Sequence, residues 1–261
     1  MDIALVGSQS GRIGNSRECC SGDHSGCVTK NELAPHKKKQ WCIGTIHAVY
    51  IARMENLLHL YAQAPNPKRP RICYDERPCQ LLGDVLSALP MQAHKPLREH
   101  YEYERHGVVH ALLAYNLDTG QRYVHLRRRR RAEEYAHFMA GLAADYPDAE
   151  AIDLIQDNLN IHDPASFYKV FDAETALKLT HRFTWHYTPK HASWLNMAEL
   201  EFSAYARECA NQRWSSLNAF VEGSRIYFTE RNTAGGIINW KFNNYHARDV
   251  FQKHYELVTT S

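Results

Sequence analysis

Two strand-like segments, Val108 to Tyr115 and Arg122 to Arg127, are joined by Asn116-Leu117-Asp118-Thr119-Gly120, and no other stretch constrains the fold as much. A short Asn-, Asp-, Thr- and Gly-bearing connection between two such segments predicts a hairpin of antiparallel neighbours. The chain beyond Arg131 cannot continue that pattern. Ala132 to Asp145 carries Tyr135, Phe138, Met139 and Leu142 on one helical face, and Pro147 stops it. Ala151 to Gln156 is an apolar run of strand length. Pro164 to Phe171 and Ala173 to His181 are patterned as helices, Phe183 to Tyr187 as a strand, and Met197 to Asn211 and Leu217 to Arg231 as helices again. Upstream, Ile51, Met54, Leu58 and Tyr61 mark a helix over 47–61. A Pro-rich break over 64–70 then leads into a short strand from Pro70 to Glu76, and 81–104 reads as irregular. Short connections favour antiparallel pairing of the first three strands, and helical crossovers favour parallel joining of the last two. The expectation is an α/β fold, a mixed five-stranded sheet flanked by helices. Trp240, Phe242 and Tyr245 are expected to pack back on it.

The 261 residues, 44% hydrophobic and 23% charged, can build a sizeable core. No apolar stretch of about 18 residues is present, so no membrane span is expected, and the N-terminus does not read as a signal peptide. Seven cysteines form no disulfide framework, which points to reduced thiols and a cytoplasmic location. The spacing within Cys19-Cys20-Ser21-Gly22-Asp23-His24-Ser25-Gly26-Cys27 fits no common zinc finger. Residues 1–40 read as a disordered arm and basic linker, 41–250 as one domain, and 251–261 as a tail.

Three acids carry the candidate chemistry. Asp75 closes the run Arg71-Ile72-Cys73-Tyr74, Asp157 closes Ala151 to Gln156, and Glu199 lies just inside a helix that comes after Trp194-Leu195-Asn196. Two strand-end aspartates and a helix-borne glutamate suit Mg²⁺, which takes hard oxygen ligands and keeps positions open for water and phosphate. Two such ions about 4 Å apart can serve both the attacking and the leaving oxygen of a phosphodiester. The competing structural reading of Glu199 is a capping box with Asn196 at the N-cap. Glu76 and Glu201 flank the set as surface or supporting carboxylates. By spacing alone the case is weak, since any chain this long holds two aspartates after apolar runs.

Net charge is only +2, but Lys37, Lys38 and Lys39 form one basic run and Arg127 to Arg131, including Arg128 and Arg129, another. Such runs are either solvated surface or phosphate contacts. Asn158 and Asn160 suit phosphate binding or loop capping. His162 is a proton carrier, a phosphate contact or a plain loop histidine. Lys190, His191 and Trp194 make a basic and aromatic loop fit for a DNA strand, and Trp194 can equally anchor the helix that bears Glu199.

The words around these acids carry more than their spacing. Cys73-Tyr74-Asp75-Glu76, Asp157-Asn158-Leu159-Asn160 with His162, and Tyr187-Thr188-Pro189-Lys190-His191-Ala192-Ser193-Trp194-Leu195-Asn196 with Glu199 resemble the mariner-like bacterial insertion-sequence transposases of the DDE superfamily. The likeness runs from about residue 28 to 250. It implies an RNase H-like (integrase-type) catalytic domain over 41–250, with the acidic triad at Asp75, Asp157 and Glu199. It further implies two Mg²⁺ or Mn²⁺ ions, double-stranded DNA at element ends and target, and a homodimer in a bacterial cytoplasm. Such enzymes carry a helix-turn-helix region before the catalytic domain, where this chain has about forty residues before Trp41. They also favour Gly, Pro and Asp where Ala192, Gly44 and His100 stand, and Thr at the end of the arginine run. These departures leave open a catalytically silent remnant that binds DNA or a full-length partner. A nuclease acting on RNA–DNA hybrids is a further alternative.

Overall fold

A computed structural model describes residues 46–159, 162–214 and 216–259. They belong to two compact units. One is Ala48–Ala247; the other joins Met1–His47 to Arg248–Ser261, of which 46, 47 and 248–259 are described. Lys37 to Lys39, the Cys19–Cys27 cluster and Asn160 lie outside the described residues.

The larger unit is built on five strands: β1 (Arg71–Asp84), β2 (Tyr103–Asn116), β3 (Arg122–Arg127), β4 (Ile152–Gln156) and β5 (Phe183–Tyr187). Their order across the sheet is β3-β2-β1-β4-β5. The β1–β2 and β2–β3 pairs are antiparallel, and β1–β4 and β4–β5 are parallel, as the connection lengths predict. The β2–β3 hairpin forms because Asn116 Oδ1 accepts from the amides of Asp118 and Thr119 at 2.8 and 3.0 Å. Gly120 closes the turn at φ 73°, and a Cβ there would meet the Gly236 carbonyl oxygen at 2.7 Å, so glycine is required twice over.

The helices are α1 (Ala48–Ala62), α2 (Ala132–Ala144), α3 (Ala173–Arg182), α4 (Met197–Tyr205), α5 (Leu217–Ala234), α6 (Asn244–Val250) and α7 (Gln252–Thr259). A 3-10 turn over Pro164–Lys169 precedes α3, and α4 runs into a π-helical turn over Ala206–Ala210. Tyr135, Phe138, Met139 and Leu142 of α2 pack against Ile72, Tyr74, Leu112, Ala114, Ile152 and Leu154 of the sheet, with Phe167 and Phe183 beside them. Each large side chain so buried stabilises the fold by about 1.5–3 kcal/mol. No described helix is long and apolar enough to cross a membrane.

Three expectations need correction. The strand expected from Val108 begins at Tyr103, inside the stretch read as irregular, where its residues are exposed and polar. The strand expected to end at Glu76 runs on to Asp84. Its pairing with β4 stops at Cys73↔Ile155, whereas its pairing with β2 continues to Asp84↔Tyr103. Beyond Cys73 the strand therefore lacks a partner on the β4 side. Polar residues and Pro78 are tolerated there, and they hide the strand from an apolar-run criterion. In the tail, Trp240 lies against Tyr61 and Trp194, and Phe242 against Trp194; Tyr245 instead is 81% exposed.

Candidate active site

Asp75 sits mid-strand, not at a strand end, opposite Leu113 of β2. On its β4 side Asp75 is unpaired, because the β1–β4 ladder stops two residues earlier, at Cys73. Asp157 directly follows β4. The turn after it is held by Gln156, a fully buried polar residue in an apolar run. Tyr135 Oη donates to Gln156 Oε1 (2.7 Å), Gln156 Nε2 donates to the His162 carbonyl (2.7 Å), and the Gln156 carbonyl accepts from the Thr188 amide (2.9 Å). One side chain and its backbone thus tie the loops after β4 and β5 together.

Glu199 is placed by Asn196. The Asn196 side chain caps α4, its Oδ1 accepting from the Ala198 amide (3.1 Å), while its Nδ2 donates to the Tyr74 carbonyl (2.8 Å). The start of α4 is therefore pinned to the residue before Asp75. The Asn196 amide donates to the Ser193 carbonyl (2.7 Å). The group a capping box would use is already satisfied, which leaves the Glu199 carboxylate without a hydrogen bond or ion pair among the described residues.

The three acids converge electrostatically. Burial pushes the Asp75 carboxyl up, the Glu76 amide draws it back, and the charges of Glu199 and Asp157 raise it further, to about 7. Neither Asp75 nor Glu199 pairs with a Lys, Arg or His among the described residues. Asp157 bonds through Oδ1 to His162 Nδ1, whose other nitrogen, Nε2, lies 3.2 Å from Glu76 Oε1. Burial opposes charge on that ring, but the bonds to Asp157 and Glu76 prevail and raise it to about 9. Both nitrogens then donate. Glu76 is itself held below the usual carboxylate range: burial would raise it, and the bonds from His162 and Tyr74 together with the Arg130 charge outweigh burial.

The donor set suits a divalent cation, with hard oxygen atoms, burial, and an Asp75 carboxyl that forms no ion pair and feels the His162 charge only as its weakest influence. Among the described residues, no three His, Cys, Asp or Glu side chains stand close enough as placed to hold one ion.

Of the other predicted contacts, Arg128, Arg129, Asn158, Lys190 and His191 are exposed, and His191 adopts a left-handed φ of 63°. Trp194 is half-buried in the aromatic cluster with Trp240 and Phe242, where it seats the loop before α4. Glu201 is not a surface acid. It is 2% exposed and takes paired bonds from Arg122 (2.6 and 2.9 Å) and Arg231 (3.2 and 3.1 Å). Glu76 is also buried, its side chain 3% exposed. Sequence reasoning missed Gln156 and the Arg122–Glu201–Arg231 group; the signal for Gln156 was a lone amide within an apolar strand. A cavity of ≈430 Å³ lies elsewhere, between β3 and α5, lined by Val124, Arg127, Val221 and Phe228 among others. Asp75, on β1, and Asp157, just after β4, do not line it.

Comparison with known proteins agrees with this architecture. No curated protein sequence matches the chain. Solved structures of the Mos1 mariner transposase share the fold at 13% identity. A paired-end complex with Mn gives a TM-score of 0.51 over 90% of this chain and 69% of that one. A pre-cleavage transpososome gives 0.52 over 90% and 69%, and a paired-end complex with Mg gives 0.50 over 92% and 74%. The mixed sheet is the RNase H-like one that the resemblance implied. The model of the DDE superfamily endonuclease family matches residues 70–221, more than half of the chain and a span that holds all three acids, and the protein belongs to that family.

Proposed function

We propose that the chain is the catalytic core of a DNA transposase that cuts phosphodiesters at transposon ends and joins them to target DNA. Asp75, Asp157 and Glu199 are its catalytic residues and would hold Mg²⁺ or Mn²⁺. One observation carries the reading: acids from a strand, a loop and a helix meet in one electrostatic neighbourhood, and Asp75 and Glu199 have no basic partner among the described residues. A structural acid buried to this degree is normally paired, as Glu201 is. When bound, a pair of divalent ions would lower the pKa of the attacking hydroxyl or water and stabilise charge on the leaving oxygen. The protein's part is positional. Asn196 locks the helix of Glu199 to the strand of Asp75, and Gln156 fixes the turn of Asp157. The exposed Arg128, Arg129, Lys190 and His191 lie on the segments that follow β3 and β5 and supply the phosphate contacts, with Lys37 to Lys39, Asn158 and Trp194 as further candidates. The Mos1 structures that share the fold include complexes with transposon ends, which supports double-stranded DNA as the substrate; a homodimer is part of the same reading.

The test is nicking of supercoiled DNA by the full chain with Mg²⁺ or Mn²⁺. Activity that needs the metal and vanishes in Asp75→Asn is expected. Cleavage in EDTA, or full activity in that variant, would overturn the assignment. DNA binding without metal-dependent cleavage would instead select the silent remnant.

A further inference from the structure

Glu76 comes directly after Asp75, yet strand alternation turns it to the opposite face of β1, toward Tyr74 and α2. There its carboxylate gathers two hydrogen-bonding partners on Oε1 and an ion pair at Oε2, which accepts no hydrogen bond among the described residues. Tyr74 Oη donates to Oε1 at 2.7 Å, His162 Nε2 lies 3.2 Å from the same oxygen, and Arg130 Nε pairs with Oε2 at 2.8 Å. The His162 side chain is 1% exposed. Its ring stacks on Tyr135 with centroids 5.1 Å apart and meets the edge of Tyr74 at 5.2 Å. A ring slotted between two buried tyrosines and bonded at both nitrogens cannot turn without unpacking the core. Its Nδ1 holds Oδ1 of Asp157, and Oδ2 has no partner among the described residues.

We propose that Glu76 and His162 form a clamp that positions the Asp157 carboxylate, with Glu76 as the anchor and His162 as the arm, and that neither residue binds the metal itself. The inference rests on Asp157 being a metal ligand. A carboxylate on a loop is otherwise free to rotate away, and its alignment must be recovered each time an ion binds. Hydrogen-bonded supports of this kind are worth about 10–100-fold in metal affinity. Arg130 ties the clamp to the arginine run as well, so the segment proposed to touch DNA is fastened to the support of one catalytic acid.

The test is Mn²⁺ binding to the full chain, monitored by electron paramagnetic resonance, with thermal melts alongside. The two isosteres of histidine separate the two bonds. His162→Asn keeps an N–H near the Nδ1 position, facing Asp157, and is expected to bind Mn²⁺ within about threefold of the parent. His162→Gln reaches toward the Nε2 position, facing Glu76, and is expected to lose about 10-fold or more. Equal affinities in both variants, whether retained together or lost together with a lowered Tm, would make His162 a packing residue and overturn the proposal. Should either variant fail to fold, Glu76 supplies the second arm. Glu76→Gln keeps an acceptor for His162 and should match the parent, while Glu76→Ala, which loses the anchor as His162→Asn does but keeps the bond to Asp157, should fall about threefold. A loss in Glu76→Gln as large as in Asp75→Asn would make Glu76 a direct ligand, again overturning it. Asp157→Ala is the control on the underlying reading: Mn²⁺ affinity unchanged in that variant would sink metal binding at Asp157 itself, a result distinct from failure of the clamp.

Discussion

Glu199 and Glu201 stand two residues apart on α4 and lead opposite lives. Glu201 is buried between Arg122 and Arg231, and although burial would raise it, the two guanidinium groups hold its carboxyl below the usual range. Glu199 lies near enough for its charge to raise the Asp75 carboxyl, and it has no basic partner among the described residues. The same contrast separates Asp75, pushed up to about 7, from its neighbour Glu76, held down by His162 and Arg130. In each pair one acid is neutralised by the protein and serves the fold. The other has no ion-pair partner among the described residues, and it is the one proposed to meet a metal ion. Burial alone does not mark a carboxylate for function; at Asp75 and Glu199 the absence of an ion-pair partner is what supports the proposed role, whereas Asp157 is held by His162.

The contrast is open to direct attack. The largest effect belongs to the uncompensated acids. Asp75→Asn and Glu199→Ala should each lower metal-dependent nicking about a thousandfold or more, while Glu199→Ala shifts stability by no more than about 0.5 kcal/mol in urea melts. A Glu199→Ala protein that unfolds early but cuts normally would reverse the roles given to the two glutamates. Next comes Glu201→Ala, which strands Arg122 in the interior and should cost about 3–5 kcal/mol by denaturant titration; a loss below about 1 kcal/mol would mean that the pair is not compensating at all.

A smaller effect depends on pH. In the folded protein Asp75 keeps its proton up to about 7, while in the unfolded chain it loses it near the ordinary 3.8. Between those values the folded state holds the extra proton, so stability falls as pH rises and the full penalty is present above 7. Asp75→Asn removes that penalty. Without divalent ions the variant should exceed the parent by about 2 kcal/mol at pH 8 and match it near pH 4, measured by urea melts at both. A gap that grows toward acid would contradict the sign. The smallest effect is on the exposed arginines. Replacing Arg128 and Arg129 together by Ala should weaken DNA binding several-fold and reduce the salt slope of log K by about 2, with no change in Tm.

Much of the fold was legible because local patterns were strong. Arg122–Arg127 and Phe183–Tyr187 were found with the bounds they have, since each is a strand-length run between clear turn or helix signals. The mixed pairing of the sheet came from connection length. The far half of β1 was not legible, because Glu76, Arg77, Pro78 and Gln80 break an apolar run. Only the ladder to β2 shows that a strand free of a partner on one side can carry them. Trp194 was read as a DNA contact or a helix anchor, and the second role is the one its packing on Trp240 and Phe242 displays.

By itself the order of residues determined the element sequence, the mixed sheet and the family words around Asp75, Asp157 and Glu199, because turn chemistry and hydrophobic period are local properties. Which acids would be neutralised was decided only in three dimensions. The partners of Glu201 lie 79 and 30 residues away along the chain, and those of Glu76 come from β1, from the arginine run and from the loop after β4. Charge compensation is a matter of distance in space, and no one-dimensional pattern records it.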